Sequence, residues 1–262
     1  MEVSIRVIDH ELRFAAVVAK KSQSMRNALF YALILTFTVN ADEVDYSMAR
    51  ANMVDEVNYY ATLARGSGEA ALNEDVIRSL GTVRRHEFVP ARQQSFAYEN
   101  RPLPIGHGQT ISQPYIVALM TDLIEPDRDF VVLEIGTGSG YQAAILAKLV
   151  TYVYSIEIIE ALADEATARL ARLGYNNVTT KLGDGYHGWE EHAPYDAIVV
   201  TAAASHVPPP LVQQLRPGGR MIIPVGGQFM TQQLLLIEKT DDDEVITRQI
   251  AAVRFVPLTR ER

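Results

Sequence analysis

From residue 130 onward, compact apolar runs alternate with amphipathic stretches. Phe130–Ile135 reads F-V-V-L-E-I, the length and β-branched content of a strand covered on both faces. Tyr152–Glu157, Val178–Leu182, Ala197–Thr201 and Arg220–Val225 repeat that character. Ser139–Leu149 is helical in pattern. So is Glu160–Leu173, where Leu162, Ala166, Leu170 and Leu173 recur at helical spacing and Gly174 is placed to stop the helix. Strands and helices in alternation predict a parallel sheet. Pro217-Gly218-Gly219 predicts a turn before the strand at Arg220. Gln233–Lys239 and Ile246–Val256 flank the acidic run Asp241–Asp243 and predict an antiparallel hairpin ending the sheet.

Upstream the pattern is helical from Tyr46 to Leu80, broken at Gly66-Ser67-Gly68, with Asn73 able to cap a helix from Glu74 to about Val83. Arg101–Gly108 holds two prolines and two glycines and predicts a loop, and Pro114 opens a helix through Leu123. The seven strands and their connections predict an α/β fold: a Rossmann-like, doubly wound, mostly parallel seven-stranded sheet with a C-terminal antiparallel hairpin and a small N-terminal helical cap. The expected division is an extension over 1–45 and a domain over 46–262, with the cap at about 46–128 and the sheet at about 129–262.

Composition narrows the chemistry. A chain of 262 residues, 48% hydrophobic, is long enough for one sizeable core. A net charge of -8, with Lys and Arg scattered, argues against a dedicated nucleic-acid binder. The absence of cysteine excludes disulfides, thiolate metal sites and a cysteine nucleophile; no metal site is expected. Ala28–Val39 is apolar, follows Lys20, Lys21 and Arg26, and ends in small residues before Asp42-Glu43. Two readings stand: Met25–Ala41 as a secretory signal, or a buried or amphipathic helix. It is too short to span a membrane comfortably.

The chemistry concentrates at V-L-E-I-G-T-G-S-G-Y, Val132–Tyr141, where a strand breaks into Gly136, Gly138 and Gly140. Glycines in a strand-to-helix turn let a ligand lie against the main chain. The spacing is not the dinucleotide fingerprint, and no Walker lysine follows to hold a triphosphate. Acids are present instead. Glu157, ending the second strand, is placed to accept ribose hydroxyls, and Glu134 and Asp184 add negative charge at strand ends. That set suits S-adenosyl-L-methionine, a cation without phosphate. A tight turn with no ligand is the plain alternative.

R-H-E-F-V-P at Arg85–Pro90, R-P-L-P-I-G-H-G-Q-T-I-S-Q-P-Y at Arg101–Tyr115, the glycine motif, Y-S-I-E at Tyr154–Glu157, G-D-G at Gly183–Gly185, Y-D-A-I-V-V-T-A-A at Tyr195–Ala203, L-R-P-G-G-R at Leu215–Arg220 and V-R-F-V-P-L at Val253–Leu258 follow one another along about two thirds of the chain. Together they resemble the protein-L-isoaspartate O-methyltransferase family, and the Gly106–Pro114 stretch is the most specific part. Before Val76 the chain departs from the family's usual short basic helix, so the build of the cap stays open.

The resemblance implies methyl transfer from S-adenosyl-L-methionine to the α-carboxyl of L-isoaspartyl residues in damaged proteins and peptides. A carboxylate with a pKa near ~4 is already ionised at neutral pH, so proximity, in-line orientation and desolvation suffice without a general base. Thr201-Ala202-Ala203-Ala204 fits this, lacking the Asp/Asn-Pro-Pro-aromatic cluster of amino-directed DNA methylation. By resemblance, Thr110 and Ser112 hold the substrate carboxylate, with Ser112 central; capping of the helix at Pro114 is the alternative. Gly136, Gly138 and Gly140 form the cofactor floor, Glu157 takes the ribose, Asp184 and Gly185 the adenine edge, with a plain turn acid as the alternative for Asp184, and Glu134 orders water or the methionine amine. Val256 and Leu258 contact the peptide or simply end a strand. His107 is a turn residue or an acid–base group. The family further implies a cytoplasmic monomer without nucleic-acid or stable membrane association; export is the alternative if Met25–Ala41 is a signal. A methyltransferase for small carboxylates or hydroxyls, or a non-catalytic cofactor-binding module, remain the competing readings.

Overall fold

The computed structural model describes residues 45–65, 71–227 and 230–260. Contacts divide the chain into two units, Met1–Tyr46 and Ser47–Arg262, and the second carries the whole of the fold traced by the strands and helices below. The apolar stretch at 28–39 and the Gly66-Ser67-Gly68 break lie outside the described residues.

Seven strands form one sheet: β3 (Val131–Ile135), β4 (Tyr152–Glu157), β5 (Val178–Leu182), β6 (Tyr195–Val200), β7 (Leu215–Val225), β8 (Gln232–Lys239) and β9 (Val245–Val253), in the order β5-β4-β3-β6-β7-β8-β9. The first five pair in parallel; β7–β8 and β8–β9 are antiparallel, as expected for a terminal hairpin. Strand order reverses between β3 and β6, and the crevice outside such a reversal is where open α/β sheets bind ligands. Val132, Leu133, Ile135, Ile198, Val199 and Val200 are all buried. The unbroken apolar runs of β3 and β6 thus follow from cover on both faces, each such side chain contributing roughly 1.5–3 kcal/mol of burial.

The cap comprises α1 (Ser47–Arg65), α2 (Glu74–Thr82) and α3 (Pro114–Leu123), which pack on one another. Asn73 caps α2 as expected, its side chain accepting from the Asp75 N–H at 2.8 Å. Along the sheet, α4 (Tyr141–Leu146) follows β3 and packs on α2, α5 (Glu160–Arg172) follows β4, and α6 (Pro209–Gln214) precedes β7.

Three expectations are corrected. Arg101–Gly108 is not free of regular structure: β1 (Leu103–Gly106) pairs antiparallel with β2 (Gln109–Ile111) around a tight turn in which His107 has φ 52 and Gly108 φ 73. The glycines that read as breakers supply the turn, and Pro104 is tolerated because a two-stranded ribbon is all edge. Pro217-Gly218-Gly219 lies inside β7 rather than before it: Tyr195 pairs with Leu215 and Ala197 with Arg220, so the intervening residues bulge out while pairing continues on both sides. The helix expected at Ser139–Leu149 is α4 alone, because Gly140 at φ 85 caps it and its end tightens into i→i−3 bonds at Lys148 and Leu149.

Candidate active site

The turn after β3 is built by bonds to its neighbour strand. The N–H groups of Gly136 and Thr137 both donate to the Ile156 carbonyl, at 2.8 and 3.2 Å, and Gly140 N–H closes the turn onto the Thr137 carbonyl at 2.7 Å. At the tip of β4, the Glu157 carboxylate accepts from the Gly138 N–H at 2.7 Å through one oxygen, and from Ile158 and Ile159 N–H at 2.9 and 3.0 Å through the other. One carboxylate therefore fixes the glycine turn against the loop after β4 and keeps an oxygen with room for a further donor.

Glu134 lies within β3 with no exposed surface. It accepts a hydrogen bond from the Ser155 hydroxyl, which also bonds Thr137 Oγ1 at 2.6 Å, while its own Oε1 makes no hydrogen bond among the described residues. Burial pushes its pKa up to about 8 against the opposing Ser155 bond, and the nearby Glu157 charge adds to the rise. A buried acceptor without a donor is a place for a ligand's cation.

These groups face one cavity, in the crevice outside the reversal of strand order between β3 and β6. Thr110, Ser112, Glu134, Gly136, Gly138, Glu157, Gly185, Val256 and Leu258, all anticipated from sequence, line it together. Among the described residues no lysine, arginine or histidine does. Two acids without a basic side chain disfavour a phosphate and favour a cationic ligand. Gly185 lets the backbone come close, since a Cβ there would sit 2.4 Å from Ile135 Cγ2.

Gly140 and Asp184 stand outside the lining. Gly140 is a helix-capping turn residue packed on Leu170. The Asp184 carboxylate accepts from the Tyr186 N–H at 2.9 Å and from Arg260 Nε at 3.0 Å. Burial raises its pKa, but those bonds outweigh it and hold the carboxyl below its ordinary value. His107 is exposed in the β1–β2 turn, away from the cavity.

Ser112 and Thr110 do not cap α3. The cap position is Gln113, without a side-chain bond, and neither hydroxyl makes a hydrogen bond among the described residues. Both are left to face the cavity and an adjoining groove that they line together with Thr201, Val256, Arg254 and Phe255. The Val256 carbonyl accepts from Ala203 N–H, and Leu258 N–H donates to the Ala203 carbonyl, each at 2.8 Å. The chain after β9 is thereby tied across the tip of β6.

Sequence reasoning missed Thr137, Thr201, Ile158 and Ile159 as lining residues. Thr201 Oγ1 donates to the carbonyls of Ile135 and Gly136, at 3.0 and 2.7 Å. Ile158 and Ile159 come directly after Glu157, so their place at a strand tip was the available signal.

A family model for protein-L-isoaspartate(D-aspartate) O-methyltransferase matches residues 65–262. Protein-L-isoaspartate O-methyltransferase 2 of Syntrophobacter fumaroxidans is 58% identical over 243 residues, 91% of this chain and 98% of that protein. Protein-L-isoaspartate O-methyltransferase 1 of Cupriavidus necator is 62% identical over 228 residues, covering 87% of this chain and 88% of that one. A solved Plasmodium falciparum structure described as a protein-L-isoaspartate O-methyltransferase, in complex with S-adenosyl-L-homocysteine, is 26% identical with a TM-score of 0.67 over 81% of this chain and 99% of its own. A match across three quarters of the chain, on the same motifs that converge on the acid-lined cavity, places this chain in the protein-L-isoaspartate(D-aspartate) O-methyltransferase family.

Proposed function

We propose that the cavity binds S-adenosyl-L-methionine and that the protein methylates the α-carboxyl of L-isoaspartyl residues in damaged proteins and peptides. The observation that carries this is the juxtaposition, in one cavity, of two acids without a cation and two hydroxyls without a partner. When bound, the cofactor supplies a methyl group on a sulfonium, whose transfer to a carboxylate oxygen yields a methyl ester and a neutral thioether with no proton to move.

The chain's own part is placement. Gly136, Gly138 and Gly185 offer backbone to the adenosyl group, Glu157 the remaining acceptor capacity of the oxygen that also holds Gly138 N–H to the ribose, and Glu134 its unpaired Oε1 to the methionine ammonium. Thr110 and Ser112 donate to the acceptor carboxylate, and the groove past Val256 takes the peptide, with Leu258 on its cavity side. Gly140 shapes the turn, and Asp184 acts at the adenine edge through the position of Gly185. We read the protein as a monomer. The substrate is protein or peptide, not nucleic acid. We place the protein in the cytoplasm, where the methyl donor is made. Among the described residues, no helix is long and apolar enough to cross a membrane.

Labelled methyl transfer to an isoaspartyl peptide and to its normal aspartyl twin tests the assignment. Base-labile label on the first alone is expected. Equal labelling of both overturns it in favour of an unselective carboxyl methyltransferase, and cofactor binding without labelling leaves only a binding module.

Glu134 adds a pH test. At pH 7 its carboxyl is mostly protonated, and a bound ammonium favours the ionised form, so cofactor binding expels a proton. Affinity should rise from pH 6 to 8 and level off above. Calorimetry at pH 7 in buffers of different ionisation enthalpy should read close to one proton released, and none for Glu134→Gln. Equal proton counts in the two proteins would remove Glu134 from the amine. Without ligand the sign is opposite: the folded pKa of about 8 exceeds the ordinary 4.5, so this group's stabilisation is full below 4.5 and lost as pH rises through 8.

A further inference from the structure

The R-H-E-F-V-P stretch has no part in the chemistry assigned so far, yet its first residue is a guanidinium with none of its surface exposed. Arg85 Nε donates to the Ala97 carbonyl at 2.8 Å and Nη2 to the Ser112 carbonyl at 2.7 Å, with the Arg101 carbonyl at 3.4 Å from the same nitrogen. Its Cζ lies 4.8 Å from the ring centroid of Tyr141, and Phe88, from the same stretch, packs edge-on against that ring at 5.5 Å. Tyr141 is the first residue of α4, directly behind the glycine turn, and lines the cavity. One rigid planar group therefore joins the end of the Thr110–Ser112 segment to the base of the cofactor turn.

A buried guanidinium with an incomplete set of partners is costly to stability. Among the described residues Nη1 makes no hydrogen bond and no carboxylate lies within ion-pair reach, and burial pushes the pKa down to about 10. An apolar side chain of similar volume would avoid burying the charge but would leave the Ala97 and Ser112 carbonyls without this donor, at about 1–3 kcal/mol for each that stays buried. What an apolar side chain lacks is a planar fork with donors at fixed angles to carbonyls on different segments.

We propose that Arg85 is a positioning residue for methyl transfer: anchored on the Tyr141 ring, it holds the Ser112 carbonyl and so sets the height of the Thr110 and Ser112 hydroxyls over the cofactor turn. This rests on the assignment of those hydroxyls to the acceptor carboxylate. Arg85 touches neither cofactor nor substrate, so its removal should act on geometry rather than on binding.

Arg85→Lys keeps the charge and loses the fork. Amide hydrogen exchange over residues 109–113 should accelerate about tenfold or more while β3 and β4 stay protected. Turnover of an isoaspartyl peptide should fall about 10–100-fold, the scale of a misplacement near 1 Å, with the peptide KM and the affinity for S-adenosyl-L-homocysteine within about threefold. Arg85→Met, apolar and of similar length, should show the same turnover loss with no lower melting temperature than Arg85→Lys; if it does not fold, the lysine variant decides. Unchanged exchange in the loop, turnover within threefold of wild type, or cofactor affinity lost in parallel with turnover would each overturn the proposal. Accelerated exchange beside a wild type that labels no isoaspartyl peptide would refute the repair assignment and leave the loop anchoring standing.

Discussion

Glu157→Ala is expected to bind S-adenosyl-L-methionine about two orders of magnitude more weakly than wild type. Two losses combine. The ribose forfeits a charge-assisted hydrogen bond, of order 1.5–3 kcal/mol, and each 1.4 kcal/mol is tenfold in affinity. The N–H groups of Gly138, Ile158 and Ile159 lose their shared acceptor at the same time, so the turn and the loop facing it are no longer clamped together. Ser112→Ala should do the reverse. Its hydroxyl makes no hydrogen bond among the described residues, so cofactor affinity should stay within about threefold while turnover falls about tenfold or more, through loss of in-line orientation. Calorimetric titration of both variants, set beside their turnover, separates the two roles. Equal losses of affinity in both would sink this division of labour.

The sheet and much of the cavity were legible in the sequence because both depend on local pattern. A strand covered on both faces must be apolar throughout, as β3 and β6 are, and an acid ending a strand beside a glycine turn needs no distant partner to be recognised. What was not legible depends on segments remote in the chain. Asp184 reads as a free strand-tip acid until Arg260, 76 positions later, pairs with it, outside the cavity lining. Thr110 and Ser112 sit where a helix cap is expected, and only the backbone shows that Gln113 takes that position and leaves both hydroxyls unused. Arg85 carries no local mark of burial; the carbonyls that hold it come from three separate positions, up to 27 residues away. The β1–β2 hairpin failed for another reason. Glycine and proline signal a turn but do not say whether its flanks pair, which here they do from Leu103 to Ile111.

Gly136→Ala is expected to cost roughly 1.5–4.5 kcal/mol of folding stability, from two sources. A non-glycine residue at φ 97 is strained by roughly 1–3 kcal/mol. The new Cβ would also lie 2.5 Å from Thr201 Oγ1, so that side chain must move and give up its one donated hydrogen, shared between the Ile135 and Gly136 carbonyls and worth about 0.5–1.5 kcal/mol. At about 2–4 °C per kcal/mol for a domain of this size, thermal denaturation should show a drop of roughly 3–18 °C. The two sources separate in a double-mutant cycle. Thr201→Ala removes the obstructing oxygen, so adding Gly136→Ala to that background should cost only the backbone strain, with a coupling of about 0.5–1.5 kcal/mol. Additive losses would mean that the Cβ never meets Thr201, and a single-variant loss below about 1 kcal/mol would mean that the turn can relax. In that second case the close approach of main chain to ligand, on which the cavity floor depends, would not hold.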